Sequence, residues 1–338
     1  MTTAIISVSE SSRWKEALAS ATCYDAYHTL EYHKLNEGET PVMLVFSGSK
    51  DKLFFPIVVR KIKNSCYKDA ISVYGYAGLV PYKNDIKDFT KKFFYSEMVK
   101  YCNEHNIVSI FTRLHPLIPA SGDFPDGMGA VEKIGQTVYL NLAQPEQAQL
   151  AQYSRSLVYQ LKNSRLKVRV AHKSELDTFI NMYRKTMDRL QADDFYYFSD
   201  AYFQRLMDAA DFQPLILFAQ YGNTVVGGAL FTCCRQFMQY HLGAVPDEFL
   251  PLSPLKSLID HARGLGCRMG LKYLHLGGGY GGREDGLFLF KSRFSHERAT
   301  FKVWKWIANQ PAYNDLVHEK FGENIPDTNF FPLYRLFN

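Results

Sequence analysis

The sequence predicts an α/β protein made of two similar halves. With 338 residues, of which 46% are hydrophobic, the chain can bury two cores of ordinary size. A helix, a β-hairpin, a strand, a helix and a strand follow one another twice along the chain. There is no heptad run and no low-complexity segment to interrupt this order. Two mixed sheets flanked by helices are the architecture that the pattern favours.

In the first half, β-rich runs alternate with helical periodicity. Two runs rich in apolar and aromatic residues are separated by Ser47-Gly48-Ser49, which is a hairpin signal. Residues 117–129 are rich in Pro and Gly and predict a loop. The predicted elements are a helix over 12–21, strands over 41–46, 52–61 and 71–76, a helix over 85–104, and strands over 107–113 and 137–142.

The second half starts with a basic helical segment, residues 144–167, which includes Lys162 and Arg165. Further on, Gly222-Asn223 separates two β-rich runs and favours a tight hairpin, because such a turn needs positive φ. The predicted elements are helices over 144–167, 175–190 and 200–210, strands over 214–221, 224–233 and 236–242, a helix over 254–264 and a strand over 271–276.

The most informative segment follows the last of these strands. It is a loop of five glycines that begins with Gly277, Gly278 and Gly279. Glycines let a backbone turn sharply or approach a ligand closely. Asp285 is placed to cap a helix after the loop, and Lys291 falls about two turns into that helix. A cation on a rigid element beside such a loop can stabilise a developing negative charge.

The loop has three other interpretations: a dinucleotide-binding motif, a P-loop and a purely structural turn. Gly277, Gly279 and Gly282 satisfy G-x-G-x-x-G, but no acidic residue follows about 20 positions on, and too little chain remains for a second nucleotide-binding half. No Gly-Lys-Ser/Thr follows, which disfavours a P-loop. A purely structural turn with a solvated lysine is the alternative that stays open.

Composition excludes several classes of protein. The 39 Lys and Arg against 34 Asp and Glu give a net charge of +5, which permits an anionic ligand but is far from a dedicated nucleic-acid binder. The six cysteines include no C-x-x-C pair and the ten histidines no H-E-x-x-H, so we expect no metal site. We expect a cytoplasmic protein, because no signal peptide and no apolar run of about 20 residues is evident.

The chain resembles the FemAB-like aminoacyltransferases, which attach amino acids to peptidoglycan precursors. The resemblance is strongest from Leu276 to Phe294, with Leu276-Gly277-Gly278 followed by Asp285 and Phe290-Lys291. It implies two tandem GNAT-like (acyl-CoA N-acyltransferase-like) domains with mixed sheets flanked by helices. Their expected bounds are 1–145 and 146–302, with the tail 303–338 packing back on the first domain. Weaker matches run from Tyr183 to Arg189, from Tyr202 to Leu206, from Gly227 to Leu230 and from Tyr240 to Ala244.

The resemblance also implies where the chemistry lies. In that family a Phe-Lys pair lies at the acyl-transfer site, which implies catalytic roles for Phe290 and Lys291. Gly277, Gly278 and Gly279 are then expected to bind substrate beside the lysine. Acyl transfer to an amine needs a neutral amine, a held carbonyl and a stabilised oxyanion, and we assign the last of these to Lys291.

Acceptor-binding residues are implied at five further positions. Lys34 lies in an aromatic-x-Lys segment that contacts the nucleotide-linked sugar in the family, and Lys162 and Arg165 lie in a basic segment that contacts phosphate. Two positions depart from the family: His115 stands where an Asp precedes Pro, and His241 stands where a strand Tyr is expected. Both positions belong to acceptor recognition, and both histidines are also candidate general bases, as is His275.

The resemblance therefore implies an N-acyltransferase that moves an aminoacyl group from aminoacyl-tRNA to an amine of a nucleotide-linked peptide or sugar of the cell envelope. One alternative is an acyl-CoA-dependent GNAT enzyme of a surface-polysaccharide pathway, and another is a non-catalytic binding protein with the same fold. The nearest string to the Q/R-x-x-G-x-G/A signature of acyl-CoA enzymes, residues 263–268, fails at its last position and follows a helix. This favours tRNA as the partner that carries the donor, with no resident cofactor expected.

Overall fold

The computed structural model describes residues 1–48, 51–83 and 88–337, without the side chains of residues 88 and 89. Ser49 of the predicted hairpin signal and residues 85–87 of a predicted helix lie outside the described residues. The chain divides into two compact units, residues 1–134 with 300–338 and residues 135–299. We call them the first and the second unit. The bounds expected from sequence, 1–145 with 303–338 and 146–302, stay a prediction of domain organisation.

Helices and strands alternate along the described residues. The helices are α1 (Ser11–Ala19), α2 (Leu30–His33), α3 (Asp88–Glu104), α4 (Glu146–Ala151), α5 (Arg155–Lys162), α6 (Leu176–Leu190), α7 (Asp200–Met207), α8 (Pro254–Arg268), α9 (Gly286–Lys291) and α10 (Gln310–Phe321). The strands are β1 (Thr2–Ser7), β2 (Thr40–Ser47), β3 (Lys52–Lys61), β4 (Lys68–Ile71), β5 (Val80–Pro81), β6 (Ile107–Leu114), β7 (Ala130–Asn141), β8 (Lys167–Val170), β9 (Gln213–Tyr221), β10 (Thr224–Cys234), β11 (Phe237–Ala244), β12 (Tyr273–Gly277) and β13 (Arg298–Ile307).

The first unit is built on a mixed sheet with the strand order β1-β2-β3-β4-β6-β13. Its strands pair antiparallel except for β4 and β6, which run parallel because the helix α3 crosses between them. The short strand β5 pairs with β3. This sheet is covered by α3, whose Phe94 and Met98 are fully buried against strand side chains.

The second unit repeats this arrangement with the order β7-β12-β11-β10-β9-β8. Here β11 and β12 are the parallel pair, and α8 crosses between them. The hairpin β9–β10, the strand β11, the helix α8 and the strand β12 correspond to β2–β3, β4, α3 and β6 of the first unit. The predicted fold class, two similar α/β halves with mixed sheets and flanking helices, is confirmed.

The last part of the chain packs in the first unit. Trp304 on β13 is fully buried, stacks on Phe124 at a ring-centroid distance of 3.9 Å, and donates its indole N–H to the carbonyl of Met128 at 2.6 Å. Tyr334 is also buried, and its ring lies 5.3 Å from that of Tyr313 on α10. The buried aromatic area is large enough to anchor these residues to the core.

Two element predictions were wrong. The single helix predicted over 144–167 is two helices and a strand: Ser154 has extended backbone angles, caps α5 by accepting from the backbone N–H of Leu157, and donates its own N–H to the Arg293 carbonyl at 2.8 Å. The strand predicted over 71–76 is Lys68–Ile71 instead, and within the rest of the predicted range Gly75 takes a φ of +116°, which is not a strand conformation. Strands β1, β5, β8 and β13 and helices α2 and α10 were not predicted.

Candidate active site

The glycine loop connects β12 to α9 in the second unit. Gly277 ends β12 with a φ of +77°, a backbone conformation that favours glycine, and the pairing of β12 with β7 shifts register just before it. Gly279 lies so close to Asp285 that a Cβ would be 2.4 Å from a carboxylate oxygen. The loop therefore depends on glycine at both positions.

Asp285 fixes both the loop and the helix after it. One carboxylate oxygen accepts the backbone N–H of Phe288 at 3.0 Å, which caps α9 as predicted. The other oxygen accepts the backbone N–H of Tyr280 at 2.9 Å. The Tyr280 hydroxyl in turn donates to the carboxylate of Asp193 at 2.6 Å. The loop is thus held from its own helix and from the segment after α6.

Lys291 ends α9 and points back to this loop. The side chain is only 7% exposed, and its ammonium donates to the Gly278 carbonyl at 2.6 Å. It also lies 5.9 Å from the centre of the Tyr240 ring, within the range of a cation–π contact. Burial lowers the pKa of Lys291 to about 8, although the charge of Asp285 acts in the opposite direction. The solvated-lysine alternative is therefore excluded for this residue.

This ammonium lies where two parallel strands part. The pairing of β11 with β12 runs from Phe237 opposite Tyr273 to Gln239 opposite His275 and goes no further. Tyr240 follows the last paired residue of β11, and burial raises the pKa of its hydroxyl, so the phenol is neutral. The Lys291 ammonium therefore lies beside the parting strands, where a preorganised cation can stabilise charge that develops on a reacting carbonyl.

Phe290 belongs to the wall behind the lysine. Its ring is half-buried against the core of the second unit and lies 5.7 Å from the ring of Phe294 in an edge-on contact. Phe294 itself is fully buried. This packing fixes the end of α9, so Phe290 supports the position of the neighbouring Lys291.

Two histidines lie on the same two strands, β11 and β12. His241 on β11 pairs with the hydroxyl of Tyr202 on α7 at 2.8 Å, and burial lowers the pKa of His241 to about 4, so its ring is neutral at physiological pH. His275 on β12 is fully buried, and its Nδ1 lies 2.7 Å from the side-chain oxygen of Gln239. The hydrogen bonds to Tyr202 and Gln239 thus fix the orientation of the two rings.

The first unit contains two of the predicted acceptor-binding residues. His115 is buried: its Nδ1 accepts the Leu117 backbone N–H at 3.2 Å, so Nε2 carries the proton and donates to Asp25 at 3.0 Å. The His115 loop lines a cavity of about 590 Å³ together with Thr300 and Lys302. Lys34 is exposed and pairs with Glu31 at 3.2 Å. Their roles in binding an acceptor stay predictions.

Lys162 and Arg165 lie in the second unit and are exposed. Lys162 ends α5, and Arg165 follows in the connection to β8. Within this unit, the structure brings Lys291, Gly278 and Tyr240 together. Tyr240 was missed as a site residue, because a tyrosine on a strand carries no local sequence signal of function. Over the described residues, no group of three or more His, Cys, Asp or Glu side chains could hold a metal ion.

Comparison with known proteins supports the class of protein that this fold and site define. Residues 148–285 match the family described as the acetyltransferase (GNAT) domain. No curated protein is similar enough in sequence to be matched. The match spans strands β8 to β12 of the second unit and the glycine loop up to Asp285. The predicted class of enzyme, an acyltransferase, is confirmed by this match.

Solved structures show the same fold over nearly the whole chain. The crystal structure of FemX superposes with a TM-score of 0.69 at 12% identity, covering 93% of this chain and 99% of FemX. The C-terminal domain of a candidate lysylphosphatidylglycerol synthetase from Agrobacterium fabrum gives 0.58 at 12% identity, covering 89% and 94%. L-PGS from Bacillus licheniformis gives 0.54 at 11%, covering 89% and 92%.

The chain therefore carries a GNAT domain, and its predicted likeness to the FemAB-like proteins of GNAT fold is confirmed at the level of the fold. Over the described residues, no helix combines the length and the apolar content that crossing a membrane would take.

Proposed function

We propose that this acyltransferase moves an aminoacyl group from aminoacyl-tRNA to an amine of a cell-envelope precursor, such as a nucleotide-linked peptide or sugar. The observation that carries the proposal is the buried ammonium of Lys291, held against the Gly278 carbonyl at the point where β11 and β12 part. The name of the Agrobacterium relative, a lysylphosphatidylglycerol synthetase, supports transfer of an amino acid to an envelope component.

The ammonium can stabilise the charge that forms in acyl transfer. An ammonium has three N–H donors, and Gly278 takes one of them, which leaves donors for a substrate oxygen. When an amine attacks the ester carbonyl, the carbonyl oxygen becomes an oxyanion that a preorganised cation in a dry site stabilises strongly. The new C–N bond then forms as the ester C–O bond breaks, and the proton lost from nitrogen ends on the leaving ribose oxygen.

The same charge favours a neutral acceptor amine. A second cation within a few ångströms of Lys291 would be repelled at low dielectric, so an incoming ammonium loses its proton more readily there. A neutral amine is itself a sufficient nucleophile toward an ester, so this chemistry needs no covalent intermediate on the protein. Direct attack by the amine on the aminoacyl ester is the simplest chemistry that these residues support.

The donor preference rests on the position of one sequence string. Residues 263–268, the nearest to an acyl-CoA phosphate-binding signature, do not follow a helix as predicted but form the C-terminal part of α8, away from its N-terminus. Pyrophosphate is held by the free N–H groups of a helix N-terminus, which this string cannot supply. This supports an aminoacyl ester donor over acyl-CoA.

The test offers the purified chain either charged tRNA or acyl-CoA, each with amino-sugar nucleotides and nucleotide-linked peptides, and follows the acceptor mass. We expect a mass gain equal to one aminoacyl residue, only with charged tRNA. A gain with acyl-CoA alone would overturn the donor assignment in favour of the GNAT enzyme of polysaccharide pathways. No gain with either donor, from folded protein that still binds the acceptors, would favour a binding protein.

A further inference from the structure

Helix α5 presents one basic face to solvent. Arg155, Val158, Tyr159 and Lys162 are spaced i, i+3, i+4 and i+7, which places them along one side of the helix over about 10 Å. All four are exposed, with Tyr159 exposed by 71% and Val158 by 48%. An exposed tyrosine between two cations is not what a purely supporting surface helix requires.

The opposite side of α5 holds the helix to the second unit. Leu157 is fully buried in the core of that unit, and Leu161 packs against the same core. Ser154 caps the helix and also bonds the chain after α9 through the Arg293 carbonyl. The exposed face is therefore presented by a fixed element rather than by a loose segment.

The basic face continues beyond the helix and is left without counter-ions. Arg165 and Lys167 are exposed, and neither they nor Arg155 and Lys162 form an ion pair with any described residue. Farther along the chain, the cations are paired: Arg169 bonds Glu175 at 2.6 Å and Lys173 pairs with Asp208. We call Arg155, Tyr159, Lys162, Arg165 and Lys167 the basic stripe.

We propose that the basic stripe is a docking surface for an RNA backbone, which would guide the RNA part of the acyl donor to the second unit. This inference rests on the proposed function, because it is the aminoacyl-tRNA donor that gives such a surface its use. Lys162 and Arg165 would then contact phosphates of the donor RNA, in place of the acceptor phosphate that the resemblance implies for them. Unpaired Lys and Arg release counter-ions when they meet phosphates, which drives binding without reading sequence. The exposed Tyr159 ring offers a face on which an unpaired base can stack.

An anionic membrane is the other polyanion to consider, and the surface fits it less well. Binding in a membrane interface requires a broad apolar face opposite the charged one. Here the outward side of α5 shows only Val158 and Tyr159 as apolar groups, and the apolar side of the helix is occupied by the core. The surface is therefore mainly charged, as binding to an RNA backbone requires.

The test measures binding of uncharged tRNA to the full chain over a range of salt concentrations. The variant is Arg155→Gln with Lys162→Gln, and the control is Lys173→Gln with Arg184→Gln, which removes two exposed, ion-paired cations from the same unit. We expect the variant to bind about tenfold more weakly or worse, and its slope of log affinity against log salt to fall by about 2. The control should change the affinity and the salt slope by less than half as much as the variant does.

A second variant, Tyr159→Ala, should weaken binding of a single-stranded RNA about tenfold while leaving the salt slope unchanged, since stacking carries no charge. Equal effects of variant and control, or retention of wild-type salt dependence in the variant, would overturn the proposal. Binding to phosphatidylglycerol vesicles that depends on the stripe, without binding to tRNA, would overturn it in favour of a membrane surface.

Turnover separates this inference from the proposed function. If the wild-type chain transfers from aminoacyl-tRNA and the stripe variant keeps its KM for that donor, the docking surface is wrong and the function stands. If the wild-type chain binds tRNA through the stripe but transfers nothing from aminoacyl-tRNA, the surface stands and the proposed donor is wrong.

Discussion

Buried charge is treated differently in the two units. In the first unit, the fully buried carboxylate of Asp69 is matched by Arg60 and Arg335, each with Nε at 2.8 Å. In the second unit, the buried ammonium of Lys291 meets a backbone carbonyl and a tyrosine ring instead of a carboxylate. The first arrangement holds each oxygen of a buried carboxylate with a guanidinium group, and the second leaves a buried ammonium without a carboxylate in hydrogen-bond contact among the described residues.

This difference separates charges that hold a fold together from charges that can act on a ligand. A buried carboxylate whose two oxygens are both held by guanidinium groups has little left to offer a ligand, and removing it leaves those cations uncompensated, which is destabilising. A buried ammonium that a carbonyl only partly compensates costs stability in the resting protein. That cost would be recovered if a negative charge developed beside it, which is why we propose Lys291 as the catalytic cation.

The largest expected effect is on stability and concerns Asp69 in the first unit. Asp69→Ala removes the carboxylate that Arg60 and Arg335 share, leaves two guanidinium groups without a counter-ion and releases a partner of Tyr334. We expect the free energy of unfolding to fall by about 3 kcal/mol. Denaturant unfolding measures it, with exposed Asp208→Ala as the control. A loss below about 1 kcal/mol would show that the network is not structural.

The second prediction concerns the stability cost at Lys291. Burial lowers its pKa from 10.5 to about 8, so the unfolded chain binds more protons than the folded chain between those pH values. Stability of the wild-type chain should therefore rise with pH across this window. At pH 7 the cost is on the order of 3 kcal/mol, and part of it is offset by the bond to Gly278.

Lys291→Met should thus be more stable than the wild-type chain at pH 7, by about 1–3 kcal/mol, with the difference shrinking toward pH 10. Unfolding by denaturant at several pH values measures both. A variant that is less stable at pH 7, or a difference that does not depend on pH, would contradict the buried-cation account.

The smallest expected effect is on the pH dependence of turnover and concerns the Tyr240 ring beside Lys291. The Tyr240 ring stabilises the Lys291 ammonium by about 0.5–1 kcal/mol, as a cation–π contact does. If turnover uses the ammonium, as we propose, the rate should fall as pH rises through the Lys291 pKa of about 8. Tyr240→Leu should move this falling limb to lower pH by about half a unit. Tyr240→Phe keeps the ring and should leave the limb in place, and a shift in both variants would assign the effect to the hydroxyl.

Local patterns were enough to predict much of the fold. The strand β3 has the predicted bounds of Lys52–Lys61, and Asp285 caps α9 as its spacing indicated. Elements that depend on distant partners were missed: β13 carries Lys302 and Lys305 among its tryptophans, and its pairing with β6 decides that it is a strand. Likewise β8 (Lys167–Val170) begins where the predicted helix ended, and its pairing with β9 decides that it is a strand.

The candidate site was predictable only in part, for the same reason. The glycine loop and Lys291 are adjacent in sequence, so their spacing indicated a site. Gly278 lies thirteen residues before Lys291, yet the bond between them depends on how α9 folds back after Asp285. Tyr240 comes from another strand altogether, and the parting of β11 from β12 that brings it near is a property of the sheet.

The most direct test of the central claim is the turnover of Lys291→Ala, with the exposed lysine variant Lys185→Ala as its control. Removing one preorganised stabilising charge costs on the order of a hundredfold or more in rate. We therefore expect Lys291→Ala to lose at least that factor in acyl transfer while keeping a melting temperature equal to or above that of the wild-type chain. Near-wild-type turnover from correctly folded Lys291→Ala protein would contradict the account.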